Sequence, residues 1–212
     1  MQKVSLLIFC CLLSACSLLE KDEPLPLYTL RSEAFKPSYA LSVPLAVDVP
    51  SSEASLNTAR IAVTPSPYQR DYMADGEWPD RLPKAFQEVL LQGLTQRWGG
   101  TNVNRMSAGL KTKYLLQSEI QDFSVYHLNK NMPEVHLKIV FKLIHLQDRR
   151  VLTAHTFSEI TPASSPTMQG IAFAFNKGVH CLLGKAVAWM EDTFLKESLR
   201  NPREDKLSRK GG

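Results

Sequence analysis

Four carboxylates fall within ten residues of one another: Asp71, Asp75, Glu77 and Asp80. Any two of them, held on either side of a substrate, could serve as general acid and general base. The same residue types also form turns and cap helices, and "YQRDYMADGEWPD" has the composition of a turn-rich connection, so that plainer reading stands beside the catalytic one. The five histidines are His127, His136, His145, His155 and His180. His136 and His145 lie nine residues apart on one alternating stretch, so an unbroken strand points them to opposite faces. No compact run of three or four converging ligands has metal-site spacing. There is no G-x-S-x-G elbow, Walker loop or H-E-x-x-H helix. The expectation is a chain that is not an enzyme and carries no metal and no cofactor beyond covalent lipid.

That lipid is expected at Cys16. Lys3 supplies a positive n-region, Val4 to Leu13 form an apolar run, and Ser14 and Ala15 precede the cysteine. The run is about half the roughly 20 residues a membrane span needs, and its layout is that of a secretory signal. "LSAC" resembles the bacterial lipobox, in which the cysteine thiol receives diacylglyceryl and the freed amine is acylated. One acyl chain holds a protein to a bilayer only marginally, at about 0.8 kcal/mol per buried methylene, whereas several together make release slow. An ordinary signal with a chance cysteine is the alternative. Residue 17 is serine, not the aspartate that retains lipoproteins in the inner membrane, so the expected address is the periplasmic side of the outer membrane.

Processing at Cys16 would leave Cys181 as the only other cysteine, so no intramolecular disulfide is expected, and Cys181 reads as a buried thiol. The formal charge of +4 comes from the ends. Between Cys16 and Leu195 there are 18 basic and 18 acidic residues, which argues against a nucleic-acid-binding face. The chain divides into a signal at 1–15, a lipidated tether at 16–27, a single domain at 28–199 and a charged, disordered tail at 200–212.

The elements that must position any site follow from periodicity. "YTL" (Tyr28 to Leu30) reads as a short strand. "YALSVPLAVDV" reads as another, with Val43, Leu45, Val47 and Val49 on one face and Pro44 marking an edge or bulge. "ARIAVTPSP" is a third, followed by the turn-rich segment with a hairpin around Asp75-Gly76. A helix then begins with Asp80 as cap and Pro83 in its first turn, and its stripe is Phe86, Leu90, Leu94 and Trp98. Three strands run consecutively as an antiparallel meander; in the second, Val135, Leu137, Ile139, Phe141 and Leu143 alternate strictly. A final helix is expected from a Ser165 cap and Pro166, with a stripe from Ile171 through Phe175, Val179, Leu182 and Ala186 to Phe194. The fold class is α+β, with two helices packed on one face of a mainly antiparallel sheet.

Tyr68, Tyr72 and Trp78 sit among polar residues between the third strand and the first helix. Such aromatics favour interfaces, which makes them a candidate partner-binding patch. Alternatively they fold back and complete the core. Truncating Tyr72 and Trp78 discriminates: the patch reading expects unchanged stability, the core reading a large loss.

Together these pieces resemble the ABC-type transport auxiliary lipoproteins that accompany MCE (mammalian cell entry) lipid-transport systems, including the paraquat-inducible intermembrane-transport type. The likeness rests on Arg60, Ile61 and Val63, on Tyr68 and Tyr72, and on Trp78, Asp80, Arg81, Leu82 and Pro83. The early "YTL", the "DRRVLTAHTF" hairpin with Phe157, and "GIAFAFNKGVHCLLGKAVAWM" are also similar to the family. The tail beyond about Leu199 is longer than its pattern. The resemblance implies a non-catalytic outer-membrane docking subunit whose partner is an MCE-domain protein, with phospholipid passing between membranes and ATP chemistry on another subunit. It also admits a homo-oligomeric ring. The alternative is another outer-membrane assembly lipoprotein, serving lipopolysaccharide or cell-wall machinery.

Overall fold

The structure, a computed structural model, describes residues 24–33, 35–38, 44–126 and 132–200. Cys16, the apolar run before it and the tail after Arg200 lie outside these residues.

The spine of the fold is β6 (Tyr114–Tyr126). Along one edge it pairs antiparallel with β7 (Glu134–His145), and β7 pairs in turn with β8 (Arg150–Pro162). This is the expected meander, and short connections enforce it: the β7–β8 turn is Leu146 to Arg149, with Arg149 at φ 52°. Val135, Leu137, Ile139, Phe141 and Leu143 are all buried, so the strict alternation does mark the face toward the core.

The other edge of β6 departs from expectation. Three earlier strands lie along it in succession, all parallel to it: β1 (Leu45–Val47), β2 (Ser51–Ser52) and β3 (Arg60–Ser66). β1 is also parallel to β5 (Val103–Arg105) on its far side. The eight-stranded sheet is therefore mixed, not mainly antiparallel. β1, paired on both edges, buries all three of its residues, while Val49 lies beyond it and is exposed. Pro44 stands just before β1, where its missing N–H breaks no ladder bond and its carbonyl accepts the amides of Lys113 and Tyr114.

The expected turn after β3 is instead a strand. β4 (Gln69–Glu77) runs antiparallel to β3, and the chain reverses between Ser66 and Gln69, not at Asp75-Gly76. Gly76 is required for a close approach: a Cβ there would sit 2.5 Å from Cε2 of Tyr28.

The helices close one face. α1 (Leu82–Trp98) buries Phe86, Leu90, Leu94 and Trp98 and stops at Gly99, whose φ of 87° suits glycine. Arg81 occupies the cap position without a side-chain bond; Asp80, one residue earlier, accepts the Arg81 amide and pairs with Lys84. α2 (Met168–Arg200) starts two residues later than Ser165 and Pro166 suggest, because the Thr167 hydroxyl accepts the Gly170 amide as its cap. Its whole expected stripe is buried. Phe123 of β6 meets both helices, its ring 5.9 Å from that of Phe86 and stacked 5.0 Å from that of Phe175. Among the described residues no helix is long and apolar enough to cross a membrane.

Candidate functional site

The three aromatics of the expected patch come to three different environments. Trp78 follows β4, where its amide is fixed by the carbonyl of Ala59 at 2.7 Å. Its indole packs edge-on to Phe175 at 5.1 Å and to Phe123 at 5.9 Å, and is 1% exposed. It is a core residue, with no surface to offer a partner. Tyr72 is half-buried: the Arg60 guanidinium lies 3.9 Å over its ring and its hydroxyl donates to the Ser55 carbonyl at 3.0 Å. Tyr68, at the tip of the β3–β4 hairpin, is 100% exposed. A fully exposed tyrosine offers rigid, amphipathic area at small entropic cost, which suits a contact residue.

The hairpin is braced from its base. Besides Tyr72, Arg70 reaches Glu53 at 3.2 Å across the loop before β3. Tyr68 is therefore carried on a supported prong.

The four neighbouring carboxylates do not converge. Asp71, Asp75 and Glu77 are strung along β4, and the first two are about 13 Å apart at roughly 3.3 Å per residue. That exceeds the separations of roughly 5–9.5 Å at which paired carboxylates act on one bond; on β4 only Asp75 and Glu77, two residues apart and so about 7 Å, fall within that range. The hydrogen bond from Lys84, helped by the Arg81 amide, holds Asp80 below its usual pKa, as befits a group at a helix start.

Two polar constellations that the sequence did not single out deserve comparison with catalytic sets. Ser124 hydrogen-bonds Asp122 and Thr64 and lies opposite His136 in the β6–β7 register. Its side chain is nevertheless fully buried, out of reach of any substrate. His145 donates from Nδ1 to Asp148 at 2.6 Å, and that bond, with one from Arg150, keeps the Asp148 carboxyl below the usual range. Nε2 of His145 is enclosed without a hydrogen-bond partner. A groove of about 410 Å³ lies nearby between β8 and α2, but its Arg150 is tied to Glu197 and its Lys196 to Asp192. Among the described residues no three His, Cys, Asp or Glu are grouped to hold a metal. Cys181, expected to be buried, is half-exposed on α2.

The clearest built feature is how the N-terminal segment joins the domain. Residues 26–33 and 35–38 form a strap with almost no regular structure; the expected Tyr28–Leu30 strand reduces to one parallel bridge between Leu27 and Glu77. The Tyr28 amide donates to the Glu77 carbonyl at 2.8 Å and the Glu77 amide to Pro26 at 3.1 Å. Asn176 of α2 then grips the strap twice, accepting the Arg31 amide at 2.6 Å and donating to Thr29 at 3.3 Å. Phe35 stacks on His180 at 5.1 Å, and Arg97 of α1 donates to the Lys36 carbonyl at 2.7 Å. The strap is thus stitched to β4, α2 and α1 in turn. Sequence periodicity misses it because its partners are single hydrogen bonds to distant elements.

The family model described as ABC-type transport auxiliary lipoprotein component matches residues 28–186. No curated protein matches the chain. Among solved structures, a Xanthomonas campestris protein of the DUF330 family superposes with a TM-score of 0.73 at 22% identity, over 84% of this chain and 99% of its own. A second, described only as an uncharacterized protein, does so with a TM-score of 0.63 at 12% identity, over 79% of this chain and 99% of its own. At these identities the likeness speaks for a shared fold.

Proposed function

Since the chain belongs to the ABC-type transport auxiliary lipoprotein component family, we propose that it is a non-catalytic adaptor, anchored through acylated Cys16 on the periplasmic side of the outer membrane. There it docks an MCE-domain protein, so that phospholipid moves between the two membranes while ATP is consumed on a separate subunit. The observation that carries this reading is the family match over most of the domain, in a chain whose first residues have the layout of a lipoprotein signal. The strap adds support: a segment bonded to three elements is a firm link between tether and domain. Tyr68 is the residue of the expected contact set best placed to meet the partner, with Tyr72 bracing the hairpin beneath it.

The test is recovery from detergent-solubilised envelopes. The wild-type protein should bring down an MCE-domain subunit, and labelled palmitate should appear on it but not on Cys16→Ser. A clean preparation without that subunit, carrying instead components of lipopolysaccharide or cell-wall machinery, would overturn the assignment.

A further inference from the structure

Three large apolar side chains are exposed around the strap: Leu25 is 39% exposed, Leu27 62% and Phe173 61%. Leu25 and Leu27 lie on the first residues described, beside the end of β4. Phe173 lies on α2 one turn before Asn176, the residue that holds Thr29 and Arg31. Arg31 and Lys177 stand at the same turn, and neither is ion-paired among the described residues. From these positions we propose that the strap and the first turns of α2 form a bilayer-docking patch, with Leu25, Leu27 and Phe173 entering the interfacial zone of the membrane that holds the lipid anchor.

Chain length argues for this occupant. Only residues 17–23 separate Cys16 from Pro24, a reach of about 28 Å even when fully extended. A headgroup layer adds several ångströms on each side of the hydrocarbon, so a relaxed tether brings the start of the strap to the membrane surface before any other part of the domain. Glu20, Asp22 and Glu23, less Lys21 between them, leave the tether with two net negative charges that offset Arg31 and Lys177, so the apolar side chains must carry the contact and the cations serve only as phosphate neighbours. The inference rests on the anchoring proposed above.

The test uses the acylated full chain in Cys181→Ala background, reconstituted in phosphatidylethanolamine–phosphatidylglycerol vesicles. Leu27→Cys, Phe173→Cys and, as control, Tyr68→Cys each carry an environment-sensitive fluorophore, read against a quencher on the lipid chains. The expected result is at least twofold stronger quenching at positions 27 and 173 than at 68. Since all three sites are exposed, the substitutions should leave the fold intact, and circular dichroism checks this. Acylated protein that floats with the vesicles yet leaves probes 27 and 173 in water overturns this inference alone. Probes already shielded before vesicles are added mean that another protein copy covers the patch, which also overturns it. A chain whose Cys16 peptide bears no lipid and which stays in solution overturns the anchor and this inference together.

Discussion

Replacing Trp78 by alanine separates a core side chain from a partner contact. The indole lies within 6 Å, centroid to centroid, of two rings that themselves stack, Phe123 and Phe175. Phe123 also meets Phe86, so the cavity would open where β6, α1 and α2 converge. Truncation of a fully buried Trp costs about 3–5 kcal/mol, the upper end applying where rigid neighbours cannot collapse into the space. Rings pinned between a sheet and two helices are such neighbours, so about 4 kcal/mol is expected. At roughly 2–4 °C per kcal/mol for a domain of this size, the melting temperature should fall by about 8–16 °C. Tyr68→Ala, removing a side chain that touches solvent on every side, should change stability by less than about 0.5 kcal/mol. Urea unfolding of both variants, followed by tryptophan fluorescence and circular dichroism, reads the two costs, and co-purification with the partner reads the association. Tyr68→Ala should weaken association at unchanged stability; Trp78→Ala should weaken it only as far as the folded fraction falls. A Trp78→Ala protein with a melting temperature within about 3 °C of wild type would refute the placement of the indole, and with it the reasoning from burial to role.

Gly76→Ala should release the strap, because the new methyl would collide with the Tyr28 ring; a loss of about 1–3 kcal/mol is expected. In a Tyr28→Ala background the same change should cost much less, and faster protease cleavage near residue 28 would locate the damage. Glu191 accepts bonds from Arg97 at 2.8 Å and Trp98 at 3.0 Å, tying α1 to α2. Burial pushes its pKa up, but the Arg97 and Trp98 bonds and the Arg97 charge together outweigh it and leave it below 4.5. A carboxyl depressed in the folded state contributes stability that is complete above its unfolded pKa and is lost as pH falls through the lower folded value. Glu191→Gln should therefore flatten the decline in unfolding free energy below about pH 4.5. Arg149 holds a left-handed conformation at φ 52°, so Arg149→Gly should relieve about 1–2 kcal/mol of strain against about 0.5–1 of added chain entropy. A small rise in the denaturation midpoint is the expected reading.

How much of this was legible depends on what pattern encodes. Alternation reports which face of a strand is buried, and it read β7 correctly from Val135 to Leu143. The turn of Leu146 to Arg149 is too short for anything but an antiparallel return, so the meander followed. Strand direction has no such signature when the connections are long. β1, β2 and β3 are three, two and seven residues long, and nothing in Leu45–Val47 says that it will run parallel to two neighbours at once. β4 was hidden for a different reason. As an edge strand it buries only Gly76 fully, so its aspartates and glycine mimic a turn. The aromatics were legible as a group but not individually: Tyr68 and Trp78 share a segment and a residue class, and only the register of the hairpin sends one to solvent and the other between two phenylalanines.

The arrangement of the strap bears on how an adaptor of this kind could transmit position. On the proposed anchor, any pull along the tether reaches the fold first at Tyr28 and Glu77 and then at Asn176. Glu77 belongs to β4, the strand that carries the Tyr68 hairpin, and Asn176 to α2. A strap attached only by its side chains would let the domain swivel at the membrane. Backbone hydrogen bonds to β4 couple the point of attachment to the prong along one continuous strand of nine residues, about 30 Å at roughly 3.3 Å per residue. The distance of the hairpin tip from the bilayer is then set by a strand, which resists extension, and not by a flexible linker. For an adaptor of the kind proposed, holding Tyr68 at a defined height above the membrane would be a sufficient function, and β4 is the element whose geometry would provide it.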